Sequence, residues 1–405
     1  MAAVDVRGAH DAGRLRVTMV NKYYWPPHVG GVEAVVRHLS EGLVRLAGAQ
    51  VSALVANEAD RRVEETINGV DVVRLSRQAA LSSAPIAAGM PLALREEAAR
   101  TDLLHFHSPY PWGELAFLAA RPKVPAVVLY HSDIVRQKLM LSGYRPFLER
   151  FLDEVDLIIT SSPNMIVGSE FLAPRAEKCR VVHFGLPLER IAGAPGAEAR
   201  AAELRAQHPG RHIVLFVGRL VYYKGANVLV RAMADVNADL VMIGRGPLEP
   251  ELRELAVELG LGERVTFLGE QEEAALAAWY RAADVFCLPS VERSEAFGLV
   301  QIEAQCVGTP VVSTNLPTGV PYANLHGVTG LTVPPNDAGA LAAALRELLD
   351  NEGLRARLGA QARARAFGEF TIPRMVAQTL DVYAEAAARF LECRGRGGPR
   401  SLGQA

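Results

Sequence analysis

Two glutamates in the last third of the chain have residue types and a spacing suited to chemistry. Glu295 and Glu303 are eight residues apart, within a stretch in which a polar loop after Pro289 leads into a helical run. Eight residues are a little more than two helical turns, so on a continuous helix both carboxylates would project to roughly the same side. The alternative is that Glu295 stabilises the positive helix N-terminus and that Glu303 is solvated.

A pair of cations stands earlier in the same half. Arg219 and Lys224 are five residues apart around a loop that follows the buried-strand pattern at 212–217. An arginine supplies a fork of hydrogen-bond donors and a lysine supplies a point charge, so the pair suits a diphosphate. Two unrelated surface cations are the alternative that residue type leaves open.

The N-terminal half has a glycine pair and a histidine group. Gly30 and Gly31 stand just before a helical pattern, where backbone N–H groups can approach a phosphate. Strand alternation places both histidines of the sequence His105-Phe-His107 on one face, and His131 closes the next strand pattern. A single strand-end histidine is usually structural, but here neighbouring strand ends both have imidazoles. No cysteine lies near them, which argues against zinc.

The segment 134–152 mixes basic and apolar residues. Gly143 and Pro146 interrupt it, so we expect more than one helix there. It is either a half-buried surface helix with snorkelling basic side chains or an interfacial patch for anionic lipid or a lipid-diphosphate acceptor. Its basic residues are Arg136, Lys138, Arg145 and Arg150.

Alternating strand and helix patterns must position these residues. They predict mostly parallel sheets, whose ligands lie beyond the carboxyl ends of the strands. The alternation stops at 191–210, which is rich in alanine, glycine and arginine and has Pro195 and Pro209, and it restarts at His212. We interpret that stretch as a connection between two domains.

Composition excludes several classes of protein. The chain has 405 residues, half of them hydrophobic, and a formal net charge of −2, so two domains are expected and nucleic acid is not an expected partner. The four cysteines are scattered without a CxxC pair, so neither a disulfide framework nor a zinc site is indicated. Without a signal-peptide pattern or a long apolar run, we expect a cytoplasmic protein, at or near the inner face of the membrane.

The stretch Ser-Glu295-Ala-Phe-Gly-Leu-Val-Gln-Ile-Glu303-Ala resembles the signature of GT-B retaining glycosyltransferases of the family 4 (group 1) type. One departure is Ala296, where the family usually has glycine. Pro-Pro-x-x-Gly-Gly-Val-Glu at 26–33 and Gly-Arg-Leu-x-x-x-Lys-Gly at 218–225 resemble the family's donor-phosphate loop and diphosphate clamp. The resemblance runs from about residue 17 to 390, with its motifs in the expected order.

This resemblance implies an α/β fold, the GT-B fold, with two Rossmann-like domains whose parallel sheets face a central cleft. The expected division is an N-terminal acceptor-side domain at 1–190, a nucleotide-sugar-binding domain at 191–373, a helix at 374–392 that packs back on the first domain, and a disordered tail at 393–405. The implied activity is retaining transfer of a hexose from a nucleoside-diphosphate sugar to a glycan or lipid-linked acceptor. The implied mechanism needs no metal and no cofactor.

The resemblance also assigns roles to residues. Glu295 lies beside the transferred sugar and His131 contacts it, as the catalytic pair. Glu303 holds the ribose. The implied donor-binding residues are Gly30, Gly31, Arg219, Lys224, Phe297, Gly298, Leu299 and Glu303, and the implied acceptor-binding residues are Asp133, His107 and Arg136.

Two further stretches resemble a subgroup that builds bacterial O-antigen and exopolysaccharide. They are 131–138 and Asn315-Leu-Pro-Thr-Gly-Val-Pro, which together indicate GDP-mannose as the donor, followed by UDP-hexoses, and a lipid-linked acceptor. Such an acceptor would bring peripheral contact with an anionic membrane. Two other functions fit the same fold, namely a nucleotide-sugar epimerase or hydrolase and a catalytically silent sugar-binding protein. A glycan phosphorylase does not fit, because the chain is short and has no lysine motif for pyridoxal phosphate.

Overall fold

The computed structural model describes residues 14–27, 30–81, 84–133 and 138–395. The chain divides into two compact units. Unit 1 extends to Gly185 and resumes at Ile372, and unit 2 is Leu186–Thr371. Each unit is built on a sheet of mainly parallel strands with helices between them, so both are Rossmann-like. In the described part of the chain, no helix combines the length and the apolar character that crossing a bilayer requires.

Unit 1 has a sheet in the order β10-β9-β8-β7-β1-β2-β4-β3, in which only the β3–β4 pair is antiparallel, and a small β5–β6 ribbon. The strands are β1 (Arg16–Val20), β2 (Gln50–Ala56), β3 (Val63–Ile67), β4 (Val70–Leu75), β5 (Ala79–Leu81), β6 (Ala84–Ile86), β7 (Leu103–Ser108), β8 (Ala126–Tyr130), β9 (Leu157–Thr160) and β10 (Cys179–Val181).

The edge strand β3 was missed by the sequence analysis. Its burial pattern is mostly exposed, so it lacks the apolar signal of the central strands. It joins β4 through Asn68-Gly69, and both of these residues have positive φ. An Asn-Gly pair with this conformation is typical of a tight β-hairpin.

The helices of unit 1 cover its sheet. They are α1 (Gly31–Ala47), α2 (Met90–Ala98), α3 (Pro111–Ala120), α4 (Lys138–Glu154), α5 (Pro163–Gly168) and the C-terminal helix (Ile372–Gly395). The C-terminal helix lies against α1, where Gly42 leaves room for the side chains of Val376 and Ile372. It continues through 393–395, which we had expected in a disordered tail, because nothing before Gly395 interrupts helical geometry. Residues 396–405 lie outside the described residues.

The expected interruption of the segment 134–152 is also wrong. Helix α4 runs continuously past Gly143 and has Pro146 inside it. A proline removes one backbone hydrogen bond of a helix, and burial compensates, since Leu148, Phe151 and Leu152 are fully buried in the core of unit 1.

Unit 2 is a parallel sheet in the order β13-β12-β11-β14-β15-β16. Its strands are β11 (His212–Val217), β12 (Ala238–Ile243), β13 (Val265–Phe267), β14 (Val285–Leu288), β15 (Val311–Thr314) and β16 (Gly330–Val333). Its helices are α6 (Leu188–Ala192), α7 (Ala197–Ala206), α8 (Ala226–Ala232), α9 (Glu249–Glu258), α10 (Glu273–Ala282), α11 (Leu299–Cys306), α12 (Val320–Ala323), α13 (Ala338–Leu349) and α14 (Glu352–Glu369).

The central strands of unit 2 are buried on both faces, which explains their nearly unbroken apolar sequences. The loops after β11 and β14 leave the sheet at the same edge, because these strands are parallel neighbours. That edge is where parallel α/β sheets bind ligands, and it has most of the residues that the sequence singled out in this half.

Candidate active site

Two loops touch at the carboxyl edge of the unit 2 sheet. Gly225 ends the 3₁₀ turn Tyr222–Lys224 with a φ of +67°. A Cβ at this position would collide with the backbone carbonyl of Pro289, which follows β14. Only glycine tolerates both the conformation and the contact, so the sequence Lys224-Gly225 brings the turn against the loop that contains Glu295.

The result is an ion pair between Lys224 and Glu295. The lysine Nζ lies 2.6 Å from the glutamate Oε2, and the two side chains are only 12% and 9% exposed. The buried hydroxyl of Ser290 donates a hydrogen bond of 3.0 Å to the same oxygen. The carboxylate is therefore held by two donors at the sheet edge, while its other oxygen has no hydrogen bond among the described residues.

Arg219 stands at the same edge but is exposed. Its Nη2 lies 3.4 Å from the Tyr223 hydroxyl, at the long limit for a hydrogen bond. The two predicted cations thus differ, since Lys224 is fixed by a carboxylate and Arg219 extends toward solvent from the loop after β11.

Helix α11 begins later than the glutamate spacing suggested. Its first residue is Leu299, and Gly298 is the N-cap with a φ of +75°. This left-handed residue cannot be part of the helix, so Glu295 lies in the preceding loop and only Glu303 is helical. The expectation that both carboxylates share one helical face is wrong. A Cβ on Gly298 would collide with Leu288, so the glycine is required here.

Phe297 has a packing role at this turn. Its side chain is 2% exposed and contacts the ring of Phe370 edge-on, with the centroids 5.8 Å apart. Its backbone carbonyl accepts a hydrogen bond of 2.9 Å from the buried amide of Gln301. Both contacts fix the start of α11, so Phe297 shapes the turn and its side chain is buried against Phe370.

The second glutamate has a tyrosine partner that the sequence analysis missed. The hydroxyl of Tyr280, on α10, donates a hydrogen bond of 2.7 Å to Glu303 Oε2. Burial raises the pKa of the Glu303 carboxyl, and the hydrogen bond from Tyr280 opposes that shift. Nothing in the sequence marked Tyr280, because an aromatic residue in an apolar helix usually indicates only core.

The histidines of unit 1 form a stack. The rings of His105 and His107 have centroids 4.7 Å apart and are nearly parallel. His107 Nδ1 lies 3.0 Å from His131 Nε2, within hydrogen-bonding distance, and the ring of Phe184 is 5.7 Å from that of His131. Burial lowers the pKa of His105 and of His131 to about 3 and holds that of His107 well below its ordinary value. All three imidazoles are therefore neutral at pH 7.

The predicted acceptor residues have different surroundings. The carboxylate of Asp133 accepts hydrogen bonds from the Tyr130 hydroxyl at 2.9 Å and the Ser169 hydroxyl at 2.5 Å. His107 is 2% exposed and is enclosed by its neighbouring imidazoles. Arg136 lies outside the described residues. The contact of these three with an acceptor stays a prediction.

The glycine pair precedes α1 as expected. Gly30 is its N-cap in an extended conformation, with a φ of −153°, and Gly31 is its first residue. The carboxylate of Glu33 lies against the position that a Cβ of Gly30 would occupy. The N-terminus of α1 thus already faces one carboxylate of its own first turn.

The basic residues described on α4 are paired with acids. Arg145 contacts Glu149 and Glu170, each at 2.8 Å, and Arg150 contacts Glu154 at 2.8 Å. These pairs offset the positive charge that a patch for anionic lipid would use. Membrane contact stays a prediction.

No group of three or more His, Cys, Asp or Glu side chains within the described ranges is arranged to hold a metal ion.

The described part of unit 1 does contain one buried carboxyl that the sequence analysis did not note. Glu114 is 1% exposed and accepts hydrogen bonds from the Ser108 hydroxyl and the Tyr110 amide. Burial raises its pKa to about 7, and it braces the loop that follows His107.

Two Rossmann-like units, with a Lys–Glu pair and a second glutamate at the carboxyl edge of one sheet, define a GT-B glycosyltransferase. Residues 202–365 match the family described as "Glycosyl transferases group 1", and residues 29–190 match "Glycosyltransferase Family 4". The chain therefore belongs to the group 1 (family 4) glycosyltransferases, which have the GT-B fold, and it is a hexosyltransferase.

Similar proteins cover nearly the full chain. D-rhamnosyltransferase WbpZ of Pseudomonas aeruginosa is 34% identical over 88% of this chain and 92% of its own length. O-antigen chain mannosyltransferase C of Escherichia coli is 32% identical over 91% of this chain and 98% of its own. Among solved structures, sucrose-phosphate synthase of Thermosynechococcus elongatus has a TM-score of 0.76 and 26% identity, covering 93% of this chain and all of that one.

Proposed function

We propose that this glycosyltransferase moves a hexose from a nucleoside-diphosphate sugar to a glycan or lipid-linked acceptor during synthesis of a cell-surface polysaccharide of the O-antigen type, with retention of the anomeric configuration. The observation that carries the proposal is the Lys224–Glu295 ion pair, which puts one cation and one carboxylate side by side at the ligand-binding edge of unit 2. The names of the two bacterial relatives, a rhamnosyltransferase and an O-antigen mannosyltransferase, support the polysaccharide context.

The donor's diphosphate binds to Lys224 and Arg219 in this proposal. The N-terminus of α11 adds backbone amides, which favour anions. Glu303 accepts the ribose hydroxyls through the oxygen that Tyr280 does not occupy. GDP-mannose is the first choice of donor, because the Escherichia coli relative is a mannosyltransferase and 315–321 resembles that subgroup, and UDP-hexoses are second.

The transfer step breaks the bond between the anomeric carbon and the phosphate oxygen, and the bonding electron pair leaves with the nucleoside diphosphate. Lys224 and Arg219 stabilise that charge, and Glu295 stabilises the positive charge that develops at the anomeric carbon. The acceptor oxygen bonds to the same face of the carbon, and its proton passes to the departing phosphate. His131 contacts the sugar as a neutral imidazole.

The proposal is tested first by binding and then by turnover. Thermal-shift titrations with GDP-mannose, UDP-glucose and dTDP-sugars should show stabilisation by one donor, and Glu303→Ala should weaken it. With that donor and a lipid-diphosphate acceptor, the labelled sugar should appear in the acceptor with its anomeric configuration retained. Hydrolysis or epimerisation of the donor without acceptor would instead show the rival enzyme functions, and binding without turnover across an acceptor panel would show a silent sugar-binding protein.

A further inference from the structure

The two imidazoles at the ends of β7 and β8 share one hydrogen bond, and the direction of that bond decides what His131 can offer a ligand. His107 Nδ1 and His131 Nε2 are 3.0 Å apart, so one nitrogen donates its proton and the other accepts. A neutral imidazole has a single N–H. The tautomer of one ring therefore fixes the tautomer of the other.

The burial of His107 selects the direction. Its Nε2 is fully buried and has no hydrogen-bond partner among the described residues. If Nε2 had the proton, a buried N–H would be left without an acceptor, which is rare in native proteins, whereas an unfilled acceptor lone pair is better tolerated. The proton of His107 is therefore on Nδ1 and is donated to His131 Nε2. His131 must then have its own proton on Nδ1.

The rings are also held in place. His105 stacks on His107 with an angle of 4° between the planes, and the Tyr383 hydroxyl lies 2.6 Å from His105 Nδ1. The ring of Phe184 lies beside that of His131, with the centroids 5.7 Å apart and 25° between the planes. The backbone amide of His131 donates to the carbonyl of Ser108, at the end of the neighbouring strand. These contacts oppose rotation of either imidazole.

We propose that His107 is a positioning residue that holds His131 as the neutral Nδ1–H tautomer, so that His131 presents an N–H donor, and not a base, to the reacting sugar. Its use toward a sugar rests on the proposed function. This assignment replaces direct acceptor binding by His107. Since His131 Nε2 is occupied by His107, Nδ1 is the nitrogen left for a ligand, and it donates to a sugar oxygen.

The tautomers can be measured without any substrate. In protein labelled with ¹⁵N-histidine, long-range ¹H–¹⁵N correlation spectra distinguish the protonated from the unprotonated ring nitrogen, and His131→Asn identifies the His131 signals. We expect a protonated Nδ1 and an unprotonated Nε2 for both His107 and His131. A protonated Nε2 on His131 in the parent protein would overturn the proposal, whatever the enzyme transfers.

Two substitutions at position 107 separate positioning from packing. The side-chain amide of His107→Asn can place a donor near the Nδ1 position, whereas His107→Leu fills space without one. We expect His107→Leu to lower kcat about 10- to 100-fold at unchanged donor affinity and to give mixed His131 tautomers in the spectrum. His107→Asn should recover most of the parental kcat and most of the Nδ1–H tautomer of His131. Equal loss in the two variants with His131 still Nδ1-protonated would overturn the positioning role. If the parent protein did not bind the donor at all, the proposed function itself would be refuted.

Discussion

Lys224 Nζ and Glu295 Oε2 lie 2.6 Å apart although 71 positions separate them in the sequence, and neither side chain is more than 12% exposed. Each charge is therefore stabilised mainly by the other, because little of either side chain is in contact with water. A buried charge that loses its partner is strongly destabilising, whereas removing both charges together is often nearly neutral. The pair thus has a structural role that can be measured apart from its catalytic one.

We expect Lys224→Met to lower the free energy of unfolding by about 3 kcal/mol, because Glu295 remains buried without a counter-ion. The double variant Lys224→Met/Glu295→Gln should recover most of that loss. Urea denaturation of the parent, Lys224→Met, Glu295→Gln and the double variant measures these differences. If the double variant were as unstable as the sum of the two single variants, the two side chains would not be coupled.

Tyr280→Phe removes the hydroxyl that holds Glu303 Oε2. A hydrogen bond to a charged group contributes about 1.5–3 kcal/mol, so we expect the Kd for the nucleotide-sugar to rise about tenfold or more, with little change in kcat. Calorimetric titration measures this affinity. Tyr110→Phe is the matched control, since it removes a similarly buried hydroxyl from unit 1, one that has no hydrogen-bond partner among the described residues. An equal rise in Kd for both variants would contradict a specific role for Tyr280.

Gly225 and Gly196 form a matched pair for testing the contact between the two site loops. Both are helix N-caps with positive φ, +67° and +72°. Gly196 has open space around it, whereas a Cβ on Gly225 would meet the carbonyl of Pro289. We expect Gly196→Ala to lower stability by about 1–2 kcal/mol and to retain activity. Gly225→Ala should lower stability further and abolish most transfer, because it displaces Lys224. Thermal denaturation and initial rates compare them, and similar behaviour of the two variants would rule out the loop contact.

We expect the stability of unit 1 to depend on pH because of the buried carboxyl of Glu114. Burial raises its pKa from 4.5 in the unfolded chain to about 7, so between these values the folded state binds more protons than the unfolded state. The contribution of Glu114 to the free energy of unfolding is fully present below about pH 4.5 and is lost as the pH rises through about 7. Relative to Glu114→Gln, the free energy of unfolding of the parent should fall by about 2–3 kcal/mol between pH 5 and 8.

Calorimetric Tm values at several pH values measure that difference. Glu64→Gln, on the edge strand with a side chain that is 62% exposed, should follow the parental profile. A Glu114→Gln profile parallel to that of the parent would show that the carboxyl does not titrate in this range.

The sequence predicted the framework of the site well, because the signals involved are local. The apolar runs of β11 and β14 and the glycines beside them placed Lys224 and Glu295 at the carboxyl edge of one sheet. Strand alternation placed His105 and His107 on one face, where their rings do stack.

What the sequence could not supply were the long-range pairings and one local conformation. The common helical face of Glu295 and Glu303 failed because Gly298 takes a left-handed conformation that residue spacing does not reveal. The hydrogen bond from Tyr280 to Glu303 links two helices, and nothing near either residue encodes it. The continuity of α4 through Pro146 depends on the burial of Phe151 and its neighbours, which is a property of the folded unit.

The role of Lys224 as the cation that replaces a metal is tested most directly by the initial rate of sugar transfer by the parent and by Lys224→Met, each with excess EDTA and saturating donor. We expect an EDTA-insensitive parental rate and a rate about 30- to 1000-fold lower for Lys224→Met, since about 2–4 kcal/mol of transition-state stabilisation is lost. A parental rate in the variant, or loss of parental transfer in EDTA, would contradict it.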